Sequence, residues 1–312
     1  MLKYLVILLD DASTSFCHYT NNCDKPKLMP IETLKKGIRF GMMENLMIQF
    51  VYPEKVLPQD YYETIETIDH GIIAPAGCPI EADVVVFDSW DSFENFEFSN
   101  VGTFVIRTEL RDLLEKKETL FSTLSRMTRI NIVLTDIDKY QEEDFGEYDN
   151  FLSELRETIK KLYLQGYNSQ CNLLTDRIEL DAMNNCNAGI DSITLAPNGK
   201  LYLCPGFYYD GEDAVGNLED GINIKNQQLL RLDHAPLCRI CDAYQCKRCV
   251  WFNKKTTLEV NTPSHEQCVV AHLERNQSRL LLAELQEKGL YGNKQEIKEI
   301  NYLDPFDVKE EW

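Results

Sequence analysis

The chain has no long apolar run. No segment approaches the roughly 20 consecutive apolar residues of a membrane-crossing helix. The N-terminal Leu5-Val6-Ile7-Leu8-Leu9 is too short for a secretory h-region, and Asp10-Asp11 follows where a cleavage site would stand. No membrane partner and no export are expected, and the run reads as a buried strand of a cytoplasmic protein. Positive charge is also scarce: 32 Lys and Arg face 51 Asp and Glu, for a formal net charge of −19 and no basic patch. Phosphate backbones require clustered Lys and Arg, so a nucleic-acid partner is excluded. Low-complexity linkers and short fixed-period repeats are lacking too. What is there is a globular composition, 44% hydrophobic and 27% charged over 312 residues, enough for one large or two ordinary domains.

Cysteine, by contrast, is abundant, with eleven in all. In a reducing compartment a disulfide framework is not expected, and clustered cysteines point to metal or redox chemistry. Hydrophobic periodicity predicts strands at 3–9, 47–51, 82–87, 103–107, 130–135 and 171–174. Helices are predicted at 31–45, 61–68, 109–125 and 148–165. This alternation implies a parallel sheet or barrel. Near residue 180 the chain becomes rich in Cys, Asn and Gly, with short strands. Ser264 and Gln267 then form a capping box that opens a helix running through Leu282. The tail after Gly289 is polar and acidic and is expected to be loosely ordered. The expected units are 1–178, 179–275, and 276–312 for the end of the helix and the tail.

Seven cysteines fall between Cys186 and Cys268. A turn at Ala196-Pro197-Asn198-Gly199 joins strand-like segments at 192–195 and 200–203, and the hairpin brings Cys186 towards Cys204. A knuckle follows, Cys238-x2-Cys241-x4-Cys246-x2-Cys249, and Cys268 stands at the start of the last helix, where a thiolate is favoured. Seven thiolates exceed one tetrahedral zinc site and suit two [4Fe–4S] clusters, structural zinc in the knuckle being the alternative. The pattern of Cys, Gly-x4-Cys, four-cysteine knuckle and last Cys resembles the SPASM domain, the auxiliary-cluster module of radical SAM peptide and protein maturases. Its x4 and x2 gaps are tighter than the usual x5 and x3. The resemblance implies that Cys186, Cys204 and Cys249 ligate the first cluster and that Cys238, Cys241, Cys246 and Cys268 ligate the second. The first cluster would then have an open iron, available to substrate or to a non-Cys ligand.

A SPASM module follows a partial (β/α) barrel that binds S-adenosylmethionine through Cys-x3-Cys-x2-Cys after the first strand. Cys17 stands at the first of these positions, but Asn21 and Asp24 occupy the second and third, and Cys23 is out of register. After the second strand, the family's Gly-Gly-Glu-Pro is replaced by Tyr52-Pro53-Glu54-Lys55, which adds bulk and removes an N–H where backbone should approach ligand. S-adenosylmethionine cleavage is therefore not expected. Together with 5–11, Ser15-Phe16-Cys17-His18-Tyr19, Arg39-Phe40, Glu44-Asn45-Leu46 and Gln49-Phe50-Val51-Tyr52-Pro53, these features resemble the CXXX repeat peptide maturases. That resemblance implies maturation of a ribosomally made, Cys-rich precursor peptide beside a separate radical SAM partner protein. The implied fold is α/β, a degenerate partial barrel of radical SAM type followed by a small SPASM-like domain and a C-terminal helix. An autonomous radical SAM peptide-modifying enzyme and a zinc-binding interaction protein are the alternatives.

Cys17, Cys23 and Glu54 are candidates for a substrate-capturing or vestigial cofactor loop. A mononuclear site of Cys17, His18, Cys23 and Asp10 or Asp11 competes with an ordinary structural loop. Cys78 reads as a lone thiol in a turn and Cys171 as core, though also as a candidate fourth ligand of the first cluster. His234 and His265 read as surface residues. Tyr208-Tyr209 are expected to pack against the first cluster.

Overall fold

The computed structural model describes residues 2–21, 23, 25–98, 102–183, 186–292 and 296–307. Asp24 and the terminal 308–312 lie outside them. Seven strands run parallel and side by side in chain order: β1 (Tyr4–Leu8), β2 (Met47–Val51), β3 (Gly71–Pro75), β4 (Val84–Phe87), β5 (Thr103–Thr108), β6 (Arg129–Leu134) and β7 (Gln170–Cys171). Between them stand α1 (Ile31–Met43), α2 (Gln59–Ile65), α3 (Trp90–Glu94), α4 (Leu110–Glu115), α5 (Lys117–Thr123) and α6 (Glu142–Leu164). After α7 (Thr175–Glu179) the chain returns to the other edge of β1 as β8 (Ser192–Leu195), also parallel. The antiparallel strands β9 (Lys200–Tyr202), β10 (Gly216–Asn217) and β11 (Gly221–Ile222) extend that edge. One sheet therefore runs across the change of composition near residue 180. The remaining helices are α8 (Pro205–Tyr209), α9 (Val250–Thr257) and α10 (His265–Glu287), and position 275 lies inside α10.

Period-2 alternation sorts the strand residues between two cores. Leu5, Ile7, Leu9, Ile48 and Phe50 pack with Leu34 and Ile38 of α1. Gly41 lets that helix sit close, since a Cβ there would lie 2.7 Å from Ile48 Cδ1. Val6, Leu8, Val51, Ile73 and Val86 join the larger cluster, which also holds Tyr19 from the loop after β1 and Trp251 and Phe252 of α9. α10 lies along α6: Leu281, Leu282 and Leu285 share a core with Leu152, Leu155 and Ile159, and Tyr148 Oη donates to Glu274 Oε1 at 2.8 Å. Ser264 caps α10 through its Oγ, which accepts from Gln267 N at 3.3 Å. No helix among the described residues is long and apolar enough to cross a membrane.

Candidate metal centre

The loop after β1 is laid into the sheet's face and tied down residue by residue. Ser13 Oγ accepts from Asp10 N at 3.0 Å and donates to the Val51 carbonyl at 2.9 Å, and Thr14 N donates to the Tyr52 carbonyl at 2.9 Å. Asn21 Nδ2 donates to the Ser13 carbonyl at 2.6 Å, and its backbone N to Ser15 Oγ at 3.2 Å. Arg107 of β5 clamps the far end. Its guanidinium donates to the Cys17 carbonyl at 3.0 Å and the Tyr19 carbonyl at 2.7 Å, and pairs with Asp88 at 2.5 Å. His18 Nδ1 meets the Leu134 carbonyl at 3.0 Å while its ring stacks on Phe252. Tyr209 stacks on Tyr19 and donates to the Ser13 carbonyl at 3.3 Å, and Tyr208 Oη donates to Asp11 at 2.5 Å. Tyr52 is buried and stacks on Tyr62. Asn21 and Tyr52, which stand where the resemblance places the second cluster ligand and the first glycine, are thus both engaged with protein.

Eight of the eleven thiols fall into two groups of four. Cys186, Cys204 and Cys249 line a cavity of about 380 Å³ together with Cys17. Its walls include Tyr4 and Val6 of β1, Gln49 of β2, Ser192 and Thr194 of β8, and Trp251 of α9. The interaction between the Cys17 and Cys249 side chains pulls the Cys17 thiol down and pushes Cys249 up. Burial, then the neighbouring Cys17, raises Cys186 to about 11, and burial with Cys186 beside it raises Cys204 further. The second group, Cys238, Cys241, Cys246 and Cys268, surrounds a void of about 20 Å³. Burial, then Cys241, raises Cys238 to about 11, and burial raises the other three. Among the described residues, no three His, Cys, Asp or Glu side chains close on a single-ion position.

Such clustering is costly for thiolates facing only one another, and a bound cationic group reverses that cost. A partial remedy is built in. Arg248 lies between the groups, where its charge is felt by Cys238, Cys246, Cys186 and Cys249. It is 2% exposed, with only Nη2 bonded, to the Leu230 carbonyl at 2.7 Å, and with Nε and Nη1 unpartnered. Burial lowers its pKa. A buried guanidinium with orphaned donors beside thiols of both groups fits an acceptor-rich assembly of negative total charge, such as an iron–sulfur core together with its four thiolates.

The knuckle is anchored from outside by Asp242. It accepts from Arg275 at 2.5 and 2.7 Å and from Arg177 at 3.0 Å, and Arg177 stacks over Tyr244. Burial opposes its ionisation, but the two guanidiniums outweigh it and hold the carboxyl low. His272, one turn after Cys268, meets Cys241 Sγ through Nε2 at 3.6 Å.

The remaining candidates are scattered. Cys23 and Glu54 are exposed and face neither thiol group. Cys17, His18 and Cys23 do not form one site, and Asp10 accepts from Ala12 N in a turn. Cys171 is buried in the core, where desolvation pushes its thiol up to about 12. Cys78 packs at the edge of the α1 core. His234 is exposed, and His265 pairs with Asp304 at 2.5 Å. Tyr208 and Tyr209 hold the loop and do not line the thiol cavity. Sequence reasoning missed Arg107, Arg248 and His272. Only His272 left a signal, its i+4 spacing from Cys268 on one helix face.

No protein-family model and no curated relative matches the chain. Solved structures with the same fold include hexahistidine-tagged anSMEcpe with bound AdoMet, at a TM-score of 0.63 and 11% identity, covering 92% of this chain and 100% of that one. Native anSMEcpe with bound AdoMet and Cp18Cys peptide has a TM-score of 0.63 at 13% identity, with the same coverage. The chain thus has the α/β fold with a large parallel sheet that radical SAM/SPASM enzymes have, as its sequence pattern implies.

Proposed function

We propose that this protein is a cluster-bearing maturation factor for a Cys-rich, ribosomally made peptide, working in the cytoplasm beside a separate radical SAM protein. The observation that carries the reading is a contrast within one fold. The loop that would hold the radical cofactor is spent on protein contacts through Asn21, Tyr52 and Arg107, while both thiol groups and the buried Arg248 between them are intact. Two [4Fe–4S] clusters would supply one-electron transfer when bound. Cys186, Cys204 and Cys249 would hold the first, and Cys238, Cys241, Cys246 and Cys268 the second. The chain's own part is to keep the clusters dry and close to a cation: Trp251 walls the first cavity, and Asp242 with Arg275 and Arg177 fixes the knuckle. The peptide bound to the structurally similar anSMEcpe supports a peptide substrate.

Zinc in the second group is the competing reading, on the small volume between its four thiols. The seven thiols of the array, more than one tetrahedral zinc site uses, favour clusters over it. The test of the reading is anaerobic incubation of the reduced protein with S-adenosylmethionine, alone and with a Cys-x-x-x repeat peptide. Peptide binding without 5′-deoxyadenosine supports it. Turnover to 5′-deoxyadenosine by the protein alone overturns it in favour of an autonomous radical enzyme.

A further inference from the structure

We infer that Cys17, from the loop after β1, is the fourth ligand of the first cluster. The inference rests on the cluster reading above and goes beyond it, because the SPASM-like array provides only three thiols for that group. Cys17 lines the same cavity as Cys186, Cys204 and Cys249. Its position is built. Arg107 holds the Cys17 carbonyl at 3.0 Å, His18 is fixed on the Leu134 carbonyl and Phe252, and Tyr19 is stacked on Tyr209. The loop residue two positions short of Tyr19 therefore has little freedom to turn its thiol elsewhere. Asn21, four residues on, is spent on Ser13 and Ser15, and of the loop's two thiols Cys17 is half-buried and lines the cavity while Cys23 is exposed. A thiol in register with the first ligand of a radical cofactor site thus lines the cavity of Cys186, Cys204 and Cys249. On ligation the S–H bond gives way to an S–Fe bond, and the proton leaves to solvent.

One consequence is that the first cluster has no vacant iron. A peptide thiol binds there only by displacing Cys17.

The experiment compares parent, Cys17→Ala, Cys249→Ala and Cys23→Ala proteins, purified anaerobically, by iron and sulfide content and by electron paramagnetic resonance of the reduced state. Cys17→Ala is expected to alter or remove the same signal that Cys249→Ala removes, leaving the second cluster's signal in place, while Cys23→Ala matches the parent. Added 2-mercaptoethanol is expected to shift the Cys17→Ala spectrum and not the parent's, because only a vacated iron accepts an outside thiolate; a merely structural role for Cys17 predicts no such shift. A Cys17→Ala spectrum identical to the parent's, where Cys249→Ala changes it, overturns this inference and leaves the cluster reading standing. A parent protein without iron and sulfide overturns both.

Discussion

Replacing Arg107 with Ala removes the clamp on the loop after β1, and the cost can be worked from its contacts. The side chain is 9% exposed and donates to the carbonyls of Cys17 and Tyr19 at 3.0 and 2.7 Å. Hydrogen bonds from a charged donor contribute about 1.5–3 kcal/mol each, and the carbonyls left behind lose their partner. The Asp88 pair is half-exposed on the acid's side, so it adds at most about 1 kcal/mol. The loss is about 4 kcal/mol. With an unfolding entropy of about 2.1 cal/mol/K per residue, a chain of this length changes by about 0.65 kcal/mol per kelvin, so Tm falls by about 6 °C. Thermal unfolding followed by circular dichroism reads this directly. Arg107→Lys, which keeps one donor, should recover part of the loss. An Arg107→Ala protein whose Tm lies within about 1 °C of the parent refutes the idea that this contact holds the loop.

Glu274 gives a pH dependence of definite sign. Burial raises its carboxyl from 4.5 to about 7, so between those values the folded state holds a proton that the unfolded state has lost. Its contribution is fully present below about 4.5, falls as pH rises to about 7, and Glu274→Gln should remove that slope and be about 3 kcal/mol more stable at pH 8 than the parent. Parallel stability–pH curves for the two proteins count against it. Cys23→Ser and Glu54→Ala alter exposed side chains outside both thiol groups, so each should change stability by less than about 0.5 kcal/mol and leave metal content unchanged. A loss of iron in either would place a ligand where the structure has none. Gly206→Ala would put a Cβ 2.7 Å from the Trp251 ring, and overpacking of about 1–3 kcal/mol should appear in denaturant unfolding.

Much of the fold was legible where apolar periodicity was strong. Met47–Val51 matches the expected strand, and Tyr4–Leu8, Thr103–Thr108 and Arg129–Leu134 lie within one or two residues of theirs. The misses have local causes. β3 went unread because its five residues begin with Gly71 and end with Pro75, both of which look like punctuation. The expected helix at 109–125 breaks at Lys116, whose φ of −103° and ψ of 9° leave the helical well. α6 starts at Glu142, earlier than expected, because its first turn is polar and held by a Gln141–Asp144 capping box with no apolar stripe. The expected strand at 171–174 shrinks to Gln170–Cys171, since Thr175 already opens α7 and its Oγ1 caps the Cys171 backbone N–H at 2.9 Å.

The clustering of the thiols was legible in part, and their assembly into two groups was not. The knuckle is local, and its two x2 pairs announce a thiol cluster. Cys17 joins a group whose other members lie 169 or more residues later, and only the return of β8 to the edge of β1 brings them together. Arg248 is equally hidden. A cation between Cys246 and Cys249 in sequence looks like a surface residue until the fold buries it.

The most direct test of the two-cluster reading is the iron, sulfide and zinc content of the anaerobically purified chain. Two clusters predict about eight iron and about eight acid-labile sulfide per chain, with no zinc. About twelve of each, indicating a third cluster in the loop after β1, or zinc with no sulfide, would contradict it.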